Sequence, residues 1–137
     1  MNGLTIGAVA RQAGVHIETL RYYERKGIVP RPPRTSSNYR VYPEDTVRRV
    51  RIVKRAQELG FSLNEIKELL ALRATRGAKC DDVRRRALHK IEEIEQKVQT
   101  LQAMKDALRK LVKECASANA PVSGCPILES LDSSGKR

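Results

Sequence analysis

The sequence predicts a mainly α protein: a winged helix-turn-helix, then a long antiparallel coiled-coil helix, then a short C-terminal loop and helix. Two short amphipathic segments separated by Gly14 have the spacing of a helix-turn-helix. The proline-rich stretch 29–43 excludes a helix and suits a wing. Residues 81–114 contain no proline or glycine, and their apolar residues repeat with the four-three spacing of a coiled coil.

The positive charge is concentrated in the first part of the chain. Of the formal net charge of +11 over 137 residues, +9 falls on 1–79 and +2 on 80–137. Such a basic surface favours an anionic partner, either a nucleic acid or a membrane surface, although it also serves solubility. We expect no enzyme, because no Ser/His/Asp set or phosphate-binding loop is visible.

Apolar runs and cysteine content limit the class of protein further. No stretch approaches the ~18 consecutive apolar residues of a membrane span, and the N-terminus lacks a signal-peptide core. Three cysteines are too few for a disulfide scaffold and suit a reducing compartment. We therefore expect a cytoplasmic protein with no membrane partner.

The helix-turn-helix is predicted over about 5–26, within a winged domain over 1–72. Thr5 can cap the first helix, Gly14 ends it, and Gly27 stops the second helix. Arginine on the second helix can fork onto guanine or a phosphate, and tyrosine hydroxyls suit phosphate oxygens. The alternative is a solvated face with a tyrosine packed into the core. The predicted DNA contacts here are His16, Thr19, Arg21, Tyr22, Tyr23 and Lys26.

The wing is predicted over about 29–43. Its last residues, Tyr39 to Tyr42, alternate like one strand of a small hairpin, whose arginines could grip the DNA backbone beside the groove. A mobile basic loop is the alternative. The predicted contacts on the wing are Arg34, Asn38, Tyr39 and Arg40.

A second helix pair is predicted over 44–72, followed by a linker over 73–79. Ser62 and Glu65 form a capping box for the second helix of this pair. The first helix carries a basic run, which could reach phosphates in part, although a charge run on a helix is usually solvated. The run consists of Arg48, Arg49, Arg51, Lys54 and Arg55.

The long helix is predicted over 80–115 as a dimerisation helix. Its apolar residues form a heptad seam that only Lys105 interrupts, and a lone helix has no surface against which to bury them. We therefore expect a homodimer. The seam consists of Ala87, Ile91, Ile94, Val98, Leu101, Leu108 and Val112.

The cysteines follow the same register. Cys80 and Cys115 lie five heptads apart, about 50 Å along one straight helix, so they cannot share a metal within one chain. In an antiparallel dimer, Cys80 of the partner subunit would lie near Cys115. A predicted metal-binding loop and short helix over 116–131 can bring Cys125 to the same end. A disordered tail is predicted over 132–137.

Three thiolates form a soft ligand set that favours Hg(II), Cd(II) or Pb(II). Structural zinc normally takes four ligands, and no histidine or fourth cysteine lies near in sequence. A three-coordinate all-sulfur site suits mercury best. The alternative is that cysteines on the seam are small buried apolar residues, which the third cysteine, in a loop, argues against.

Several segments resemble the MerR family of bacterial transcription regulators over nearly the whole chain. The front segments resemble its helix-turn-helix, wing and second helix pair, and the last segment resembles its mercury-responsive branch. The segments that carry this resemblance are 4–7 (LTIG), 17–28 (IETLRYYERKGI), 39–42 (YRVY), 59–63 (LGFSL) with 65–66 (EI), and 125–128 (CPIL).

The resemblance implies a homodimer on an inverted-repeat promoter with an unusually long spacer. The metal-free dimer would hold RNA polymerase in an inactive complex, and metal binding would make the dimer distort the DNA. The resemblance also implies that Cys80 selects divalent metals, and that Cys115 and Cys125 are the other mercury ligands. The loop between the last two is one residue longer than in the mercury-responsive branch.

Together these features predict a Hg(II)-responsive regulator of a mercury resistance operon, which represses without metal and activates with it. A regulator of Cd(II), Pb(II) or Zn(II) is the nearest alternative. A cytosolic thiolate protein that buffers metal, with an incidental basic face, is the alternative from another class.

Overall fold

The computed structural model describes residues 3–115 and 117–133, which form mainly α-helix, as the sequence predicts. The helices are α1 (Ile6–Ala13), α2 (Ile17–Arg25), α3 (Asp45–Glu58), α4 (Leu63–Ala74), α5 (Cys80–Lys113) and α6 (Pro126–Ser133). Two short strands, β1 (Gly3–Leu4) and β2 (Tyr42–Pro43), and a 3₁₀ helix over Val122–Gly124 complete the described elements.

The chain divides into two units between Ala87 and Leu88, inside α5. In the first unit α1 packs against α2 and α3, and α3 packs against α4. The core draws on all four helices and on the segment between α2 and α3. Its largest fully buried side chains are Val9, Leu20, Ile28, Val29, Tyr42, Val50, Val53 and Ile66.

The helix-turn-helix forms as its caps predict. The amide of Ala8 donates to Oγ1 of Thr5 at 3.1 Å, so Thr5 caps α1. Gly14 ends α1 with a φ of 75°, a left-handed conformation that favours glycine. His16 occupies the N-cap position of α2 but makes no capping bond through its side chain.

The wing differs from the hairpin predicted over Tyr39 to Tyr42. Arg34 and Arg40 form a single antiparallel bridge, and Asn38 turns the chain between them with a φ of 68°, which asparagine tolerates. Tyr42 instead pairs with Leu4 of β1. The physical reason is that Tyr42 is buried in the core, which draws this end of the strand away from the wing.

The capping box at α4 is confirmed. The amide of Glu65 donates to Oγ of Ser62 at 3.1 Å, and the amide of Ser62 donates to Oε1 of Glu65 at 2.7 Å. The helix continues to Ala74, two residues beyond the predicted end of the pair. The hydroxyl of Thr75 then bonds to the carbonyl of Ala71 at 2.6 Å and occupies one of the last carbonyls.

The long helix begins at Cys80, as predicted, but ends at Lys113 rather than at residue 115. The amides of Glu114 and Cys115 bond to carbonyls three residues back, at 3.0 and 3.2 Å. Such bonds wind the chain more tightly than an α-helix. The predicted end of the helix is therefore two residues too late, and Cys115 lies in the tightened turn beyond the helix.

The C-terminal segment forms a turn, a 3₁₀ helix and then α6, where the sequence predicts a loop and one short helix. The amide of Ala120 bonds to the carbonyl of Ser117 at 3.1 Å, and α6 then runs through residues 132 and 133, which the sequence assigned to the disordered tail. Proline at the first position of α6 suits a helix start. The rest of that predicted tail, 134–137, lies outside the described residues. No helix of the described part is both long and apolar enough to cross a membrane.

Candidate DNA interface and thiol groups

A basic groove lies between α2 and the wing segment. Its volume is about 570 Å³, and five arginines and one glutamate account for its charged lining. A concave surface with such an excess of positive charge concentrates anions. The lining residues are Thr5, Ile6, Arg21, Glu24, Arg25, Arg31, Arg34, Tyr39, Arg40 and Tyr42.

The exposed face of α2 carries most of the predicted contacts on that helix. Arg21 forms an exposed ion pair with Glu18 at 3.0 Å, which a phosphate or a base can replace at little cost. The guanidinium of Arg25 and the ammonium of Lys26 lie 5.9 and 5.6 Å from the centre of the Tyr22 ring. These cation–π contacts hold the three side chains together on the outer surface.

The wing arginines are partly used within the wing. Nη1 of Arg40 donates to the carbonyl of Pro32 at 2.6 Å, and Nη1 of Arg34 donates to that of Asn38 at 3.3 Å. A guanidinium has five N–H donors, so each arginine retains donors for a phosphate. Tyr39 stands exposed beside them.

The prediction that Tyr23 contacts DNA is wrong. The residue is 2% exposed, and its hydroxyl donates to Oε1 of Gln57 at 2.7 Å. Burial, together with the charge of Glu58, raises the pKa of Tyr23 above its usual value. The side chain therefore ties α2 to α3 and is not available at the surface of α2. Helical periodicity already left this alternative open.

Sequence reasoning missed the cluster formed by Glu24, Arg31 and Tyr42. The Tyr42 hydroxyl donates to Oε2 of Glu24, and Nε of Arg31 lies 3.4 Å from Oε1. Burial, followed by the hydrogen bond to Glu24, raises the pKa of Tyr42 to about 12. The position of Arg31 between Pro30 and Pro32, in a basic stretch, was the available signal.

The basic run on α3 is largely structural. Nε of Arg49 donates to the carbonyl of Ile28 at 2.7 Å. A nitrogen of Arg51 and the ammonium of Lys54 donate to the carbonyls of Gln12 and Gly14, at 3.0 and 2.8 Å. These two cations occupy carbonyls at the C-terminal end of α1, where positive charge is favoured. These three members of the run therefore anchor the helix-turn-helix.

The thiols of Cys80 and Cys115 are exposed, and that of Cys125 is partly buried. The described residues of a single chain bring no three histidine, cysteine, aspartate or glutamate side chains together as a metal site. At the start of α5, Asp82 accepts a hydrogen bond from the amide of Lys79 at 2.8 Å, which is the main cause of its lowered pKa. None of the three cysteines is in a disulfide, and the thiol of Cys115 donates a hydrogen bond to the carbonyl of Ser117 at 3.5 Å.

The second unit exposes a stripe of apolar side chains along α5. Leu101, Leu108 and Val112 are 63%, 59% and 64% exposed, whereas aliphatic side chains normally seek burial. These residues belong to the predicted heptad seam. One chain therefore leaves the seam without a cover over the described part of the helix.

Two family models match these same regions. The model described as "MerR HTH family regulatory protein" matches residues 4–73, and the one described as "MerR, DNA binding" matches residues 47–111. The chain belongs to the MerR family. Among relatives of this MerR-family chain, the mercuric resistance operon regulatory protein of Bacillus cereus is 44% identical over 126 residues, which are 92% of this chain and 95% of the relative.

Two crystal structures share the fold. PbrR691 of Ralstonia metallidurans, a transcription regulator in complex with lead(II), has a TM-score of 0.84 and 30% identity, and the match covers 93% of this chain and 98% of PbrR691. The dual-function regulator MerR of Bacillus megaterium, in complex with mercury(II), has a TM-score of 0.73 and 39% identity, with 94% and 99% covered. The winged helix-turn-helix followed by a long helix is therefore a fold that this MerR-family chain shares with metal-bound regulators.

Proposed function

We propose that this MerR-family chain is a Hg(II)-responsive regulator of a mercury resistance operon. As a homodimer it binds an inverted-repeat promoter, represses transcription without metal, and activates RNA polymerase when Hg(II) binds. The observation that carries this proposal is 44% identity over 92% of the chain to a mercuric resistance operon regulator, combined with three free thiols. The proposal implies a location in the bacterial cytoplasm, where promoter and polymerase meet.

Three cysteines form the inducer site in this proposal: Cys115, Cys125 and Cys80 of the partner subunit. Thiolates are soft ligands, and a set of three without a histidine suits Hg(II) better than structural zinc. The uncovered seam of α5 supports a dimer, and an antiparallel pair of helices brings opposite ends of two chains together. Cys115 is exposed and lies beyond the end of α5, so its thiol is accessible to a metal.

The basic groove and the exposed face of α2 form the DNA contact. The proposed residues are His16, Thr19, Arg21, Tyr22, Lys26, Arg34, Asn38, Tyr39 and Arg40. In the proposed dimer each subunit presents one copy of this surface, and two copies suit an inverted repeat. Phosphate contacts from the arginines set the position, and the α2 side chains read base edges.

Metal acts in this scheme by shifting a conformational equilibrium. To move the dimer from about 1% to about 99% of the DNA-distorting state, Hg(II) must bind that state about 10⁴-fold more tightly. Ligands drawn from two subunits can supply such a difference, because their separation changes when the subunits move. The free energy that deforms the promoter then comes from the tighter binding of Hg(II) to the DNA-distorting state.

Transcription from the promoter of the chain's own operon tests the proposal. With purified chain and bacterial RNA polymerase, we expect activation at a lower concentration of Hg(II) than of Cd(II), Pb(II) or Zn(II). Cys80→Ala, Cys115→Ala and Cys125→Ala should each abolish the response, whereas Ser123→Ala, in the same loop as Cys125, should retain it. A retained response in the cysteine variants would contradict the proposed site.

Lead(II) is the second candidate inducer. It is favoured by the TM-score of 0.84 to a lead-bound regulator, which exceeds the value of 0.73 for the mercury-bound one. The higher identity to the mercury-bound regulator, 39% against 30%, favours mercury instead. Activation by Pb(II) at lower concentration than by Hg(II) would decide for lead.

A further inference from the structure

Glu24 is an acidic residue in a groove that is otherwise basic. It lies on α2, and its side chain is 4% exposed. One carboxylate oxygen accepts a hydrogen bond from the Tyr42 hydroxyl, and the other lies 3.4 Å from Nε of Arg31. A negative charge beside a surface that meets phosphates weakens attraction. The charge of this carboxylate therefore does not by itself favour DNA binding.

The two partners of Glu24 stand at the two ends of the wing. Arg31 lies near its beginning, and Tyr42 lies at its end, where β2 pairs with β1. Between them, the wing is closed by the bridge from Arg34 to Arg40 and by a bond of 2.7 Å from the amide of Thr35 to the carbonyl of Tyr39. Because these bonds hold the wing together as a unit, the wing moves relative to α2 mainly by bending at its two ends.

Each partner is well placed to hold the wing. The ring of Tyr42 is buried in the core, so its hydroxyl has a fixed position. The phenol is protonated and a donor at neutral pH, and burial, followed by the bond to Glu24, raises the pKa of Tyr42 still further, to about 12. Arg31 supplies a cation that offsets the buried carboxylate.

We propose that Glu24 is a positioning residue that fixes the wing against α2 and thereby raises the ratio of operator affinity to non-operator affinity. Non-specific binding depends on the total positive charge and on salt. Operator binding additionally requires α2 and the wing to meet the duplex in one register. The charge of Glu24 thus lowers non-specific affinity, while its geometry raises operator affinity. This inference rests on the DNA binding of the proposed function and is independent of the metal.

Glu24→Gln tests the inference against a matched control, Glu58→Gln. The control removes the same charge from the same unit, but Glu58 lies at the end of α3, where its side chain is 50% exposed and pairs with Arg55. Affinities of the metal-free chain are measured for two duplexes. One is a duplex that the wild-type chain selects from a randomised library, and the other is the same duplex with a scrambled sequence.

The two variants are expected to change these affinities differently. Glu24→Gln should raise affinity for the scrambled duplex about twofold and lower affinity for the selected one about tenfold, which reduces the ratio about 20-fold. Glu58→Gln should raise both affinities by a similar factor and leave the ratio unchanged. An unchanged ratio in Glu24→Gln would overturn the inference.

Hydrogen exchange of the wing amides over 34–41 provides a readout without DNA. We expect exchange about tenfold faster in Glu24→Gln and unchanged in Glu58→Gln, because the wing opens locally when its contact with Glu24 is lost. Equal exchange in both variants would overturn the inference, whatever DNA binding shows. A wild-type chain that selects no duplex would contradict the proposed function. The exchange measurement, which uses no DNA, would still decide the inference about Glu24.

Tyr42→Phe keeps the inference testable if Glu24→Gln does not fold. This variant removes the hydroxyl donor but leaves the carboxylate and its pair with Arg31. The ratio of affinities should fall in the same direction by a smaller factor, and wing exchange should rise. A ratio and an exchange rate equal to those of the wild type would contradict the role of Glu24.

Discussion

The first unit buries its apolar side chains within one chain, whereas the second leaves a stripe of them exposed. Val9, Leu20 and Ile28 are fully buried among α1–α4, but Leu101 and Leu108 on α5 are more than half exposed. The difference teaches that the surface proposed to bind DNA is complete in one chain. The proposed metal site takes Cys80 from the partner subunit, and we therefore expect sensing to be a property of the dimer.

Leu101→Lys, which places a charge on the exposed seam of the second unit, is expected to have the largest effect of these substitutions. A hot-spot residue contributes about 2 kcal/mol, and the substitution occurs twice per dimer, so the dimer dissociation constant should rise about 1,000-fold. Analytical ultracentrifugation measures this change. Gln99→Lys, with the same new charge off the seam, is the matched control and should leave the dimer intact. A dimer that survives Leu101→Lys would show that the seam is not the interface.

Leu20→Ala tests the self-sufficient core of the first unit. Because Leu20 is fully buried, the free energy of unfolding should fall by about 3 kcal/mol. Urea denaturation at fixed protein concentration provides the measurement. The half-exposed Leu59 offers a control, for which Leu59→Ala should cost less than about 1 kcal/mol. Equal losses would mean that the core is not where the structure has it.

Tyr42 predicts how the stability of the first unit depends on pH. The pKa of its phenol is raised from 10.0 to about 12 by burial and by Glu24. Below pH 10 both folded and unfolded states keep the proton. Between pH 10 and 12 only the unfolded phenol ionises, so its contribution to stability is lost as the pH rises.

Comparison with Tyr42→Phe isolates this effect. The variant has no phenol to titrate, so urea denaturation should show the stability gap between wild type and variant narrowing from pH 9 to pH 11. All other groups titrate alike in both chains. A constant gap would argue against a raised pKa at this position.

Ser62→Ala should produce the smallest of these changes. It removes the side-chain half of the capping box of α4, and loss of such a cap costs about 1 kcal/mol. The midpoint of urea unfolding reports the loss, and Ser36→Ala, at an exposed site in the wing, serves as the control. A midpoint shift no larger than that of Ser36→Ala would show that the Ser62 cap does not stabilise α4.

The same contrast explains how much could be predicted from the sequence. Local signals were sufficient for helix starts and stops, such as Thr5, Gly14 and the Ser62 box, because each depends on neighbouring residues alone. The burial of Tyr23 and the pairing of Tyr42 with Leu4 depend on distant partners, which periodicity does not reveal. The turn that places Cys115 beyond the end of α5 depends on how the chain leaves the helix. The cysteines themselves were recognisable because few chemistries use three unpaired thiols.

A mixed dimer tests the shared metal site most directly. A Cys80→Ala chain and a Cys115→Ala chain, carrying different affinity tags, are combined, and the heterodimer is isolated with both tags. Hg(II) binding is then followed through the ultraviolet absorption of mercury–thiolate bonds. If the ligands come from two subunits, neither homodimer has a complete site, and the heterodimer should bind one Hg(II) with the absorption of the wild type. A heterodimer that binds no better than the two homodimers would contradict a site shared between subunits.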